Sequence, residues 1–156
     1  MIRRLSADSR RMVMTSAAVE ARRRGDRRLG TDHLLLGLLH EPDSNVARAL
    51  GVSLATARTA ADSLDRDALA AVGVKVNHLG NPPPTAFARR LLPLTSGARA
   101  VLKRTVEESR RAKKPQIGTG DFLLALLERD RPDPAAELLS ALGVDPSQVR
   151  GRLDRS

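Results

Sequence analysis

Leu29-Gly30-Thr31-Asp32-His33-Leu34-Leu35-Leu36-Gly37-Leu38-Leu39-His40-Glu41 is written a second time, with changes, as Ile117-Gly118-Thr119-Gly120-Asp121-Phe122-Leu123-Leu124-Ala125-Leu126-Leu127-Glu128-Arg129. Each copy is followed by the same short signature, Ala49-Leu50-Gly51-Val52 after the first and Ala141-Leu142-Gly143-Val144 after the second. Two similar segments in the same order within one chain are the mark of a duplicated structural unit. The Leu-rich run in each copy is apolar nearly all round, so it belongs in the middle of a helical bundle.

Working outward, punctuation divides each copy into helices. In copy one, Ser6 or Asp8 is positioned to cap a helix running to about Arg24, with Met12, Ala17, Val19 and Ala21 as its apolar positions and Gly25 at its end. Thr31 is read as the cap of a short helix to about His40, which Glu41-Pro42-Asp43 stops. Ser44 to Leu50 makes a third helix ended by Gly51. Ser53 caps a fourth to about Ala71, with Leu54, Ala57, Ala61, Leu64, Ala68 and Val72 at helical spacing. Copy two repeats the plan: Thr95 caps a helix to about Ala112, Thr119 one to about Arg129, Pro134 opens a third, and Asp145-Pro146 starts the last. Repeat one therefore spans about 5–72 and repeat two about 94–153, with a proline-bearing linker over about 73–93 and no strand expected.

Composition supports this reading. Of 156 residues 41% are hydrophobic, yet the aromatics are Phe87 and Phe122 alone, so the core must be built from Leu, Val and Ala. The absence of cysteine removes disulfides, thiolate metal sites and cysteine nucleophiles. Ser6, Asp8 and Ser9 interrupt the N-terminus where the apolar stretch of a signal peptide would begin, and no apolar run reaches the roughly 20 residues that cross a bilayer. A cytoplasmic protein is the expectation. The net charge is +9, with Arg supplying 23 of 27 basic side chains, in groups at Arg22-Arg23-Arg24, Arg27-Arg28 and Arg110-Arg111 with Lys113-Lys114. Such a surface attracts anions without naming them, and a solvated Arg-rich helical face is the plain alternative.

The paired Gly-Thr motifs resemble those of the Clp repeat domain found at the N-terminus of Clp protein unfoldases, whose copies each carry an Ile-Gly-Thr-Glu-His-Ile-Leu-Leu-Gly-Leu run. Leu29 to Glu41 is similar to that run throughout, and Pro93-Leu94-Thr95 followed by Ala98-Arg99 resembles the opening of the family's second copy. The resemblance extends from about Leu5 to Leu153. It implies an all-α fold, two pseudo-twofold four-helix repeats packed as one eight-helix bundle. It also implies a non-enzymatic module that receives substrate proteins or adaptors, or modulates a Clp unfoldase. The family's ATPase ring is not expected here, because the sequence holds no Gly-x-x-x-x-Gly-Lys-Ser/Thr loop to cradle phosphates.

In relatives each copy takes a phosphorylated arginine, a Glu facing the guanidinium and helix-start donors facing the phosphate, which is sound chemistry for a bidentate pair and a helix N-terminus. By position the resemblance assigns Ser6, Thr31 and Asp32 in copy one, and Thr95 and Thr119 in copy two. Asp32 is one methylene shorter than the family's Glu. Copy two has Gly120 in that place, with Asp121 one step on, where the family has His. Relatives that bind cyclic peptide antibiotics use aromatics at places held here by Ile2 and Leu94, which keep an aliphatic ligand surface but lose the ring stacking, so a sequestering role is an alternative that this departure disfavours.

His33 and His40 lie near two helical turns apart, but further ligands are missing and no metal or other cofactor is expected; His33 reads as a hydrogen-bonding group at a helix start. No His and acid partner is placed to activate Ser6 or Ser9, so catalysis has no machinery. The rival from another class is nucleic-acid binding, from the Arg clusters and from Val52-Ser53-Leu54-Ala55-Thr56-Ala57-Arg58, which resembles part of a helix-turn-helix. The recurrence of Leu-Gly-Val at Leu142 to Val144 assigns that turn to the repeat instead, and scarce aromatics remove stacking platforms.

Overall fold

The computed structural model describes residues 2–73, 92–114 and 116–155, with side chains from Ser9 onward. Most of the linker expected over 73–93, Phe87 included, lies outside the described residues, as do the side chains of Ile2 and Ser6. Eight helices follow in order: α1 (Ile2–Arg23), α2 (Thr31–Leu38), α3 (Asn45–Leu50), α4 (Leu54–Ala71), α5 (Ser96–Arg111), α6 (Thr119–Leu127), α7 (Pro134–Ala141) and α8 (Pro146–Asp154). This is the expected all-α bundle of two four-helix copies.

The Leu-rich helices lie at its centre. Leu34, Leu35 and Leu36 of α2 and Phe122, Leu123 and Leu126 of α6 are all but excluded from solvent, each contributing about 1.5–3 kcal/mol of hydrophobic stabilisation. The copies do not sit side by side as separate halves: α2 packs on α7, α3 on α8 and α4 on α7, so each copy completes the other's core. Leu29 and Leu94 tie the two together through a parallel β-bridge, in which the Leu29 N–H donates to the Pro93 carbonyl (2.9 Å) and the Thr95 N–H donates to the Leu29 carbonyl (3.0 Å).

Several caps are as the sequence indicates. Ser53 and Thr95 each accept the N–H three residues on (3.1 Å to Thr56 and to Ala98), and Asp133 and Asp145 cap α7 and α8 ahead of a proline in the first turn. Gly51 (φ 68) and Gly143 (φ 69) supply left-handed turns at the same place in both copies, which only glycine adopts without steric cost.

Four expectations need correction. First, α1 begins at Ile2, so Ser6 and Asp8 lie within it and not at its start; Ile2 to Leu5 contain no helix breaker, and the helix runs through them. Second, Met12 and Val19 are exposed; Ala17 and Ala21 are buried as expected, in a stripe spaced by three and four residues that Val13, Ser16 and Glu20 complete. On α4 Ala57 and Ala61 are buried and Leu54 and Leu64 pack partly buried against the core, as expected, while Ala68 and, just past the helix, Val72 face solvent. Third, Thr31 and Thr119 are the first residues inside α2 and α6, whose N-caps are Gly30 and Gly118. The reciprocal bond comes from the third helical position: the Gly30 N–H donates to His33 Nδ1 (2.8 Å), and the Gly118 N–H to Asp121 Oδ2 (2.9 Å). Fourth, α2 and α6 stop at Leu38 and Leu127, two residues early.

Gly37 allows a close approach of α1 and α2 in copy one. A Cβ there would lie 2.8 Å from the Ala17 nitrogen and 3.1 Å from the Val13 carbonyl oxygen, so α1 and α2 touch backbone to backbone. Gly→Ala inside a helix ordinarily gains about 1 kcal/mol. Gly37→Ala is expected to do the reverse and destabilise by about 1–3 kcal/mol through overpacking, seen as a lower denaturant midpoint. A raised midpoint would show that α1 and α2 separate freely.

Candidate functional site

The Leu29–Leu94 bridge brings the loop that opens α2 against the loop that opens α5, and α7 joins them. A Cβ on Gly30 would stand 3.7 Å from Thr95 Cγ2, and one on Gly97 would stand 3.3 Å from Thr31 Cγ2 and 3.0 Å from Asp133 Oδ2. Three helix N-termini therefore meet at the boundary of the copies, with the positive ends of their helix dipoles directed toward it.

Thr31 is buried there and its hydroxyl is fully engaged. It donates to Asp133 Oδ1 (2.7 Å) and accepts from the Ala135 N–H (3.1 Å), so copy one helps to cap α7 of copy two. Asp133 accepts from the Ala135 N–H as well (3.0 Å) and pairs with Arg129 Nε (3.1 Å). Thr95 is half-buried and caps α5; Leu94 beside it is also half-buried, and its carbonyl accepts from Arg99 Nη2 (3.4 Å).

Asp32 projects from the first turn of α2 and meets Arg24. Arg24 Nη1 donates to Asp32 Oδ2 at 2.7 Å, Nη2 bonds to Asp65 of α4, and Nε lies 3.7 Å from Asp26. The Arg24 side chain is only 6% exposed. Burial works against its charge, but the bonds to Asp65 and Asp32 outweigh that and hold its pKa above the ordinary arginine value. Three carboxylates thus enclose one guanidinium, a grouping that spans 41 residues of sequence between Arg24 and Asp65.

Copy two holds a rearranged version. Asp121, which occupies the place of His33, pairs with Lys114 (2.7 Å), whereas His33 Nε2 pairs with Asp26 Oδ2 (2.7 Å): both contacts span seven residues, with the carboxylate on opposite sides. Because His33 Nδ1 accepts from Gly30, its Nε2 carries the hydrogen and donates to Asp26. Gly120 faces open space, so no carboxylate stands where Asp32 stands in copy one, and Thr119 is half-buried at the helix start. Of the expected site residues, the structure gathers Thr31, Asp32, Leu94 and Thr95 at one place and leaves Thr119 in the other copy's motif.

Residues 6–133 match the Clp repeat (R) N-terminal domain family. The chain belongs to that family. Its Clp repeat domain is 33% identical over 146 residues to the chloroplastic chaperone protein ClpC2 of Oryza sativa subsp. japonica, covering 92% of this chain and 14% of that one. It is 32% identical over 146 residues to the chloroplastic ClpA homologue, an ATP-dependent Clp protease ATP-binding subunit, of Brassica napus, covering 92% and 15%. The chain thus spans about one-seventh of the length of these curated relatives. Its fold matches the crystal structure of the N-terminal domain of the caseinolytic protease associated chaperone ClpD from Arabidopsis thaliana, with a TM-score of 0.71, 19% identity, and 97% and 96% of the two chains covered.

Within this Clp repeat domain, sequence reasoning missed Arg24, Asp65 and Asp133. It also missed an open groove of 510 Å³ walled by Leu39, Pro42, Val52 and Leu54 between the end of α2, α3 and the start of α4. The groove is assembled from residues of three elements, and no contiguous apolar run announces it. No described helix is long and apolar enough to cross a membrane.

Proposed function

We propose that this Clp repeat domain is a non-catalytic receiving module that binds substrate proteins or adaptors of the Clp system, or modulates a Clp unfoldase. The observation that supports it most is the family match across residues 6–133 together with the intact two-copy bundle, whose copies meet at three convergent helix starts. Asp32 beside Thr95 favours a second, finer reading: copy one takes the guanidinium of a phosphorylated arginine on Asp32, with the helix starts facing the phosphate. Copy two, with Gly120, has no equivalent carboxylate and is not assigned a site.

A pull-down from native lysate with the purified protein, with and without nuclease, is the test. Clp subunits or adaptors should be retained after nuclease treatment and in raised salt, and Asp32→Ala should lose arginine-phosphorylated proteins selectively. Nucleic acid as the retained species, with binding falling steeply as salt rises, would assign the Arg-rich faces to a phosphate backbone instead.

A further inference from the structure

The carboxylate that the finer reading assigns to a ligand's guanidinium already holds one. Arg24 stands 2.7 Å from Asp32, is closed off from solvent, and is held from the far side by Asp65. We propose that copy one is self-occupied: Arg24 is an internal occupant of the Asp32 site, and an arginine-bearing partner reaches Asp32 only by displacing it. This rests on the reading that Asp32 receives a guanidinium.

The exchange is chemically balanced. Asp32 trades one charge-assisted guanidinium bond for another of the same kind, so its carboxylate is never left unpaired. Arg24 follows the last residue of α1 and precedes Gly25, whose φ of 75 marks the turn out of the helix. Its outer partner, Asp65, is 52% exposed, so the anchor that holds Arg24 from the far side lies in solvated surface, where water can replace it. Asp26 remains paired to His33 whichever guanidinium is present. If the displaced form is populated at about 1–10%, apparent affinity for an arginine ligand falls roughly 10- to 100-fold below that of an open site.

The experiment is calorimetric titration of the full chain with phospho-L-arginine, L-arginine and methylguanidinium, on wild type, Arg24→Met, Asp65→Ala, Asp32→Ala, and Arg24→Met combined with Asp32→Asn. Arg24→Met should bind phospho-L-arginine about 10- to 100-fold more tightly than wild type, and the added Asp32→Asn should abolish the gain. Asp65→Ala, which frees Arg24 at the surface end, should give a smaller gain and carries the test if Arg24→Met does not fold. Tight binding by wild type that Asp32→Ala removes and neither Arg24→Met nor Asp65→Ala improves would overturn self-occupation while leaving the phospho-arginine reading in place. Binding of methylguanidinium and L-arginine, but no preference for phospho-L-arginine, by Arg24→Met would support self-occupation and remove the phosphate part of the reading. Failure of all three probes on every folded variant would overturn both.

Discussion

Phe122→Ala should lower the unfolding free energy by about 3–5 kcal/mol. Phe122 is 1% exposed on α6 and is the largest fully buried side chain among the described residues, in a core otherwise made of Leu, Val and Ala. A cavity left in a close-packed core relaxes only partly, so its cost adds to the lost transfer energy. Equilibrium denaturation measures it. Phe122→Leu, which keeps most of the volume, should cost less than about 1.5 kcal/mol, and equal effects of the two substitutions would place Phe122 outside the shared core.

Glu20→Ala is the second large effect, at about 2–3 kcal/mol, the cost of breaking a buried ion pair reduced because one partner reaches solvent. Glu20 is 0% exposed and joins three segments: Arg58 of α4 donates through Nη2 (2.5 Å) and Nε (3.0 Å), and His40, just past α2, lies 2.8 Å away. Burial pushes its pKa up, but the bonds from Arg58 and His40 prevail and hold it below the ordinary 4.5. A carboxylate whose folded pKa is depressed contributes stability above its unfolded value and loses it as pH falls through the folded one. The stability gap between wild type and Glu20→Gln should therefore be full at pH 7 and shrink below about pH 4.5, read from unfolding curves at several pH values. A gap that is unchanged in acid would mean that the carboxylate charge does not hold α1 to α4.

The architecture was legible because the repeated Leu runs, the Gly-Thr openings and the Pro- and Gly-marked ends are local signals. Ser53, Thr95 and Asp145-Pro146 bond to groups two or three residues away, and the sequence shows both partners. Thr31 was misjudged because its hydroxyl serves a helix more than a hundred residues on, and no local rule says which helix start a side chain faces. Arg24 was hidden for a related reason. Three consecutive arginines at the end of a helix point about 100° apart, so they cannot all face water, but only the position of Asp65 decides which one turns inward. The candidate site was half visible: Thr31, Asp32, Leu94 and Thr95 could be named, while the internal guanidinium against Asp32 could not.

Site-specific photo-crosslinking tests the receiving-module reading most directly. A photoreactive residue placed at Leu94, on the boundary where α2, α5 and α7 begin, is compared with one at Gln148, exposed on α8, in native lysate. Adducts with Clp subunits, adaptors or their substrates at position 94 and not at 148 are the expected result. Equal labelling at both positions, or adducts at 94 that consist of nucleic acid alone, would contradict it.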